Sequence, residues 1–368
     1  MNQFRIRSAY GASGIQPRAT DAFVTYTAPV VNINGSDTPG LRAASLGNPF
    51  LKPERTTEFE GGFDMQGIGN RVHLELTYYS KKTNDALLDL NIAPSAAASA
   101  TTVRRNLASV KNAGVEAVLT STVLDHRNLG WDVTIAASHN SNKVLQLGTD
   151  PSGNVIYVNG TGANRDSVGF PVRGWYYRTY TYADSNSDGV IVPSEVVVDP
   201  TFRFAGNSIP GDIVSISNGF DLFNRRLRIN SLFDYKGGYS INNGTYSFQC
   251  GNNPACPGLS NPNASLEDQA AAVAFTAKSP TNTSFGFLEN GQFWRFRELS
   301  ATFNVPESLT RRVGSSGASL SLGARNLKVW TKYKGSDPEE NFSTTDVQSN
   351  FASSAPRRFY TMRLNLHY

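Results

Sequence analysis

The sequence predicts an all-β protein of antiparallel strands, each with one apolar and one wet face, and three observations predict it. Period-2 alternation of apolar and polar residues dominates the chain. Short Gly- and Asn-containing links alternate with long polar excursions. No stretch approaches the roughly 18 consecutive apolar residues of a membrane-spanning helix, the longest apolar run lying at 270–275. Composition narrows the field further. With 39% hydrophobic residues and a net charge of +4 (34 basic against 30 acidic), the 368-residue chain is too apolar and too neutral for disorder. Charged residues make up only 17%, below the quarter or so typical of soluble domains, yet the mean hydropathy is −0.33. These values fit a soluble sandwich or propeller, or a barrel that shows lipid every second residue and leaves no hydropathy peak.

In chain order, strands are predicted at 5–11, 57–66, 71–79, 114–123, 131–143, 212–222, 226–235, 293–305, 318–327 and 359–368, with a noisier one inside 168–182. The clearest is 71–79, where Val72, Leu74, Leu76 and Tyr78 share one face and Arg71, His73, Glu75, Thr77 and Tyr79 the other. It is joined to 57–66 through Gly67-Ile68-Gly69-Asn70, a hairpin-type link. Segments 212–222 and 226–235 are joined through Phe223-Asn224-Arg225, with Leu227, Ile229, Phe233 and Tyr235 opposite Arg226, Arg228, Asn230 and Asp234. The last strand puts Tyr360, Met362, Leu364, Leu366 and Tyr368 on one face and ends on an aromatic residue.

The links make the choice among all-β classes. Short ones at 67–70, 125–130 and 223–225 are interleaved with excursions at 12–55, 83–112, 237–292 and 328–358. Short turns at one end and long loops at the other are the layout of an outer-membrane barrel. Strands extendable to about 9–11 residues match a tilted crossing of a bilayer. No repeat of roughly 20–50 residues marks a propeller or solenoid.

Four segments carry a family resemblance. Asn48-Pro49-Phe50-Leu51-Lys52-Pro53-Glu54-Arg55-Thr56-Thr57 resembles NP-x-LKPE-x-TT. Arg105-Asn106 with Val110-Lys111-Asn112-Ala113-Gly114-Val115-Glu116 is similar to N-x-G-x-V-x-N-x-G-V-E, with Ala108 in place of Gly. Gly323-Ala324-Arg325-Asn326-Leu327 running into Trp330-Thr331-Lys332-Tyr333-Lys334-Gly335-Ser336-Asp337-Pro338-Glu339 resembles G-x-x-NL-x-x-WT-x-Y-x-G-x-DPE. Residues 358–368 resemble a terminal strand read by the outer-membrane assembly machinery. Together they resemble the C-terminal part of the SusC/RagA-like TonB-dependent outer-membrane transporters. Each motif also reads as architecture: Pro53 limits where a strand starts, Gly114 and Gly323 suit bends or close packing, and Asp337-Pro338-Glu339 suits a turn.

The resemblance implies active uptake of a nutrient such as an oligosaccharide or peptide across the outer membrane of a Gram-negative-type cell. It implies a barrel of about 22 strands with a plugged lumen, of which residues 1–368 would supply about 10–11 strands. The expected partners are the outer-membrane lipid, TonB, a SusD-like lipoprotein and the nutrient. No plug, TonB-contacting segment or signal peptide is legible, so the chain is expected to be a fragment or to have a start placed too late. The alternative is a soluble or surface-attached all-β carbohydrate-binding module, in which Trp175-Tyr176-Tyr177 could stack on sugars in either setting.

Asp184-Ser185-Asn186-Ser187-Asp188-Gly189-Val190-Ile191-Val192-Pro193-Ser194-Glu195 fits D-x-[DN]-x-[DN]-G-x5-E at every defined position. Calcium there would take side-chain oxygens of Asp184, Asn186 and Asp188, the Val190 carbonyl and both oxygens of Glu195. The plain alternative is an acidic surface loop. Cys250 and Cys256, close together with Gly251 and Pro254 between them, read as a small disulfide-closed loop in an oxidising compartment, or as two surface thiols. No enzyme is expected, since His73, His126, His139 and His367 lack metal-ligand spacing and no nucleophile elbow, P-loop or dinucleotide fingerprint is present. Evenly spread charge gives no nucleic-acid patch despite a pI near 9.0.

Overall fold

The computed structural model describes residues 2–91, 102–148, 163–252, 256–278, 287–340 and 349–368. Ten strands build one sheet: β1 (Gln3–Ile15), β2 (Glu54–Gly67), β3 (Val72–Asn91), β4 (Thr102–Asp125), β5 (Leu129–Gln146), β6 (Asp212–Leu222), β7 (Leu227–Gly237), β8 (Phe293–Asn304), β9 (Gly317–Thr331) and β10 (Phe359–His367). Each lies antiparallel beside the next in sequence, so the sheet is a meander with β1 and β10 at its edges. The ten predicted strands are the ten strands of the sheet. Among the described residues no helix is long and apolar enough to cross a membrane.

Register sorts the side chains by chemistry. One face carries Ile135 beside Ile216 and Phe233, and Leu320 beside Phe303 and Leu364. The other carries Asp64 beside Arg5, and Thr302 beside Arg228 and Ser321. Rings collect near both ends of the apolar face. Trp131 stacks on Phe220 at 5.8 Å toward the short turns, and Tyr235 meets Trp294 at 4.9 Å toward the long loops. Phe303 and Trp294 of β8 lie roughly 30 Å apart along the strand at about 3.4 Å per residue, which a tilt of about 40° reduces to the ~25 Å apolar band of a membrane barrel.

The short links are built by positive φ. Ile68, Gly69 and Asn70 have φ of 50°, 60° and 65°, and Phe223, Asn224 and Arg225 have 54°, 58° and 62°. At the other end β3 and β4, with 20 and 24 residues, run well beyond a bilayer crossing. The predicted excursion 83–112 is therefore largely strand. Register slips on either side of Ala86 break the period-2 signal there while pairing continues as far as Asn91 with Thr102.

Two further departures lie outside the sheet. The noisy segment 168–182 becomes a strand at Gly174–Tyr182, and of its partner at Val196–Gly206 only 196–198 reads as extended from the sequence, because Pro200 and the Asp199 turn contact with Thr201 disguise the rest. The excursion 237–292 contains helices α1 (Gly244–Gly251), α2 (Pro257–Ser260) and α3 (Leu266–Ala277). Ser265 caps α3 by accepting from Asp268 N at 3.1 Å. The apolar run at 270–275 is the buried side of α3, packed on Phe287, Ile191 and Val196.

Candidate functional site

The wet face is laced with ion pairs. Arg5 and Arg7 share Asp64 at 2.6 and 3.1 Å, Arg228 bridges Asp132 and Asp221 at 2.9 Å each, and Arg325 meets Glu298 at 2.7 Å. A β-bulge makes the densest cluster. Strict alternation along β8 would place Arg295 and Arg297 on the side of Leu299, Ala301 and Phe303. Leu232 pairs with Glu298 but Phe233 pairs with Phe296, so Arg297 is the extra residue and both arginines turn to the wet face.

There they hold the Asp337-Pro338-Glu339 turn. Arg295 donates to Asp337 at 2.5 Å with both side chains almost fully buried. Arg297 donates to both oxygens of Glu339 at 2.8 Å, and Lys236 reaches Glu339 at 3.2 Å. Glu339 also lies 3.2 Å from Arg295 Nε, close enough for attraction but not aligned as a hydrogen bond. Burial raises the Glu339 carboxyl, yet Arg297, Lys236 and Arg295 outweigh it and hold it below its usual range. The sequence placed a turn here; its role as a buried strap on the barrel wall comes from the structure. Tyr239 and Tyr333, beside it, have phenols pushed far up, first by burial and then by the carboxylates around them.

The motif at 48–57 is likewise architectural. Asn106 accepts from Lys52 N at 2.8 Å and donates to the carbonyls of Lys52 and Asp85 at 2.8 and 2.7 Å. Glu54 accepts from Leu87 N at 2.7 Å. Gly114 has no room for a Cβ, which would meet His139 O at 2.4 Å.

The loop at 184–195 sits against α3. Gln269, absent from the sequence reading, accepts from Ile191 N at 2.8 Å and donates to Gly189 O at 3.0 Å. Within the loop, Asp184 accepts from Gly189 N at 3.0 Å, Asp188 from Val190 N at 2.8 Å, and Glu195 from Ser185 N and Val192 N at 2.7 and 3.1 Å. Asn186 donates to Asp188 at 2.8 Å, and Gly189 takes φ of 77°. The loop thus brings Asp184, Asn186, Asp188, Val190 and Glu195 into one turn. Among the described residues no three His, Cys, Asp or Glu side chains converge as a metal cage. Cys250 and Cys256 are bonded to each other between α1 and α2. Lys334 reaches over to Asp268 of α3 at 2.5 Å; burial raises the Asp268 carboxyl, but the bonds from Lys334 and Ser265 hold it below its usual range.

Trp175, Tyr176 and Tyr177 do not form a stacking platform. All three are buried, the Trp175 indole donating to Ser240 O at 3.0 Å. Their strand is covered by the outer segments, which single-sequence alternation does not show. Several cavities open among the outer segments, two of them against β4 or β5. One of about 530 Å³ lies between the 47–52 segment and β4; the other, of about 330 Å³, lies between β5 and the turn before β6.

A meandering sheet with an apolar band, two aromatic rims, a wet ion-paired face and all its long loops at one end defines the wall of a membrane β-barrel. The chain belongs to the TonB dependent receptor-like, beta-barrel family, whose model matches residues 2–327. It is 25% identical over its whole length to TonB-dependent receptor P26 of Formosa agariphila, covering 40% of that protein. It is 23% identical to TonB-dependent receptor SusC of Bacteroides thetaiotaomicron, over 92% of this chain and 35% of that protein. Its fold superposes on the structure of the RagAB peptide transporter with a TM-score of 0.76 at 22% identity, over 98% of this chain and 40% of that one. The chain spans between about a third and two fifths of the length of these relatives.

Proposed function

We propose that the chain is part of the barrel wall of a TonB-dependent importer in a Gram-negative outer membrane. It would work with a plug, TonB and a SusD-like surface lipoprotein to take up a nutrient, an oligosaccharide or a peptide. The observation that carries this reading is the sorting of ten consecutive strands into an apolar and an ion-paired face, within a chain of this family. The burial of Trp175, Tyr176 and Tyr177 withdraws a sugar-stacking surface that either reading could have used. Deleting the gene and measuring uptake of defined oligosaccharides and peptides, with and without the proton-motive force, tests the reading. Loss of energy-dependent uptake of at least one nutrient is expected. Unchanged uptake, or a chain that refolds as a monodisperse monomer without detergent, overturns it.

The loop at 184–195 takes a structural calcium in this reading, because its donors are the oxygen set that this ion prefers. Calorimetric titration of calcium into the protein should show binding that Asp188→Ala abolishes. An affinity unchanged by that substitution sinks the site.

A further inference from the structure

Three lysines stand in line across neighbouring strands. The register sets Lys82 of β3 opposite Lys111 of β4, and Lys111 opposite Lys143 of β5. All three are exposed, and among the described residues none of them takes part in an ion pair. Arg55 of β2, exposed and equally without an ion pair there, lies one rung further out, opposite Asn84. Strands in a sheet are about 4.8 Å apart, so the three ammonium groups spring from backbone positions spanning only ~10 Å. Like charges directly opposite one another destabilise a sheet. A row of three, with no carboxylate beside it, therefore points to an anion that arrives from outside.

Parity fixes the side on which the row lies. Lys82 continues the face of Leu74, Leu76 and Tyr78, Lys111 that of Val115 and Ala117, and Lys143 that of Ile135, with no register shift in between. This is the apolar, outward face of the wall. The carboxylates of the same stretch, Glu58, Glu60 and Glu116, have the opposite parity, Glu58 standing directly across from Lys81 on the wet face. The rungs fix the level. Tyr10 pairs with Phe59 and Phe59 with Ser80, so these two rings, 74% and 46% exposed, mark the outer rim of the apolar face. The lysines occupy the next rung outward, ~5 Å higher for two residues at about 3.4 Å each and a tilt of about 40°. Lipid headgroups lie at that level, and the lysine stems can run along the wall with their ammonium groups among them.

We infer that Lys82, Lys111 and Lys143, with Arg55 beside them, form a binding site for the phosphate groups of an anionic membrane lipid on the outer side of the barrel wall. Lysine meets phosphate as a point charge, so three mobile ammonium groups suit a headgroup without demanding one fixed geometry. A symmetric second copy of the wall would bring three more cations against these three, so charge favours lipid as the occupant. The inference rests on the outer-membrane reading and adds to it a lipid contact that uptake of a nutrient does not by itself require.

The test takes the full-length receptor, stripped of lipid in nonionic detergent, and titrates it with diphosphoryl lipid A or its dephosphorylated form, reading bound lipid by native mass spectrometry. The diphosphoryl form is expected to be retained more tightly. Each of Lys82→Gln, Lys111→Gln and Lys143→Gln should weaken its retention roughly fivefold and the triple variant about a hundredfold, whereas Lys81→Gln on the wet face should leave it unchanged. Without lipid, the triple variant should melt at or above the wild-type temperature, because repulsion is relieved; this separates a lost contact from a lost fold. Equal retention of the two lipids, retention unaffected in the triple variant, or displacement of the lipid by an equal concentration of inorganic pyrophosphate overturns the site. So does a triple variant that changes only the oligomeric state, which would assign the row to an interface between copies. If the receptor requires detergent and still fails these tests, the site falls and the outer-membrane reading stands; if it is monodisperse without detergent, both fall.

Discussion

The guanidinium of Arg297 donates to both carboxylate oxygens of Glu339, at 2.8 Å each. The two residues belong to a bulged barrel strand and to a turn in the following outer loop, so the pair ties a loop to the wall from which it does not directly emerge. Fork-to-fork geometry adds direction as well as attraction. The neighbouring Arg295–Asp337 pair completes the strap in a setting that excludes water.

Asp337→Ala removes the one hydrogen-bonded carboxylate partner of the buried Arg295 seen among the described residues and leaves it only the unaligned Glu339 carboxylate 3.2 Å away. Removing one partner of a buried ion pair costs about 3–5 kcal/mol. The cost should fall on the strap, so limited proteolysis is expected to cut at 332–340 much faster in the variant while the barrel strands stay protected. Unchanged cleavage would show that the turn is held by other contacts.

Acid should release the same segment. Glu339 and Asp268 have carboxyls held below their usual range, and for a depressed group the added stability is present above the unfolded value of about 3.9–4.3 and is lost as pH falls through the lower folded value. Hydrogen exchange of α3 and the strap, corrected for intrinsic rates, should be flat from pH 8 to about 5 and rise only below about 4. Loosening already near pH 6 would contradict the assignment.

The two faces can be told apart by charge. Ile216 lies mid-strand on the apolar face between Ile135 and Phe233, and Ser217 is on the wet face. Ile216→Arg should cost about 2–4 kcal/mol, the value for a cation near the bilayer midplane, whereas Ser217→Arg should stay within roughly 1 kcal/mol. Urea unfolding in lipid vesicles measures both, and equal costs would remove the distinction between faces.

Reduction of Cys250–Cys256 should loosen only the helical lobe. A loop this short contributes about 2 kcal/mol by chain entropy. With dithiothreitol, protease is expected to reach α1 and α2 sooner, with no change in β1 to β10. A barrel that unfolds on reduction would mean that the lobe carries more of the fold than its contacts suggest.

The sequence alone determined the existence and order of the ten strands of the sheet, their short hairpin ends and the family. Period-2 alternation is a local property, and in a sheet one face meets lipid and the other water along the whole strand. The β8 bulge was not read from the sequence, which predicted a plain strand at 293–305; it emerges from the register with β7. The candidate loop at 184–195 was also legible, since its donors lie within twelve consecutive residues. What only the tertiary structure decided depends on residues far apart in the chain. The burial of Trp175 to Tyr177, the anchoring of Ile191 by Gln269 and the strap on Arg295 and Arg297 all arise where outer segments fold back over one another.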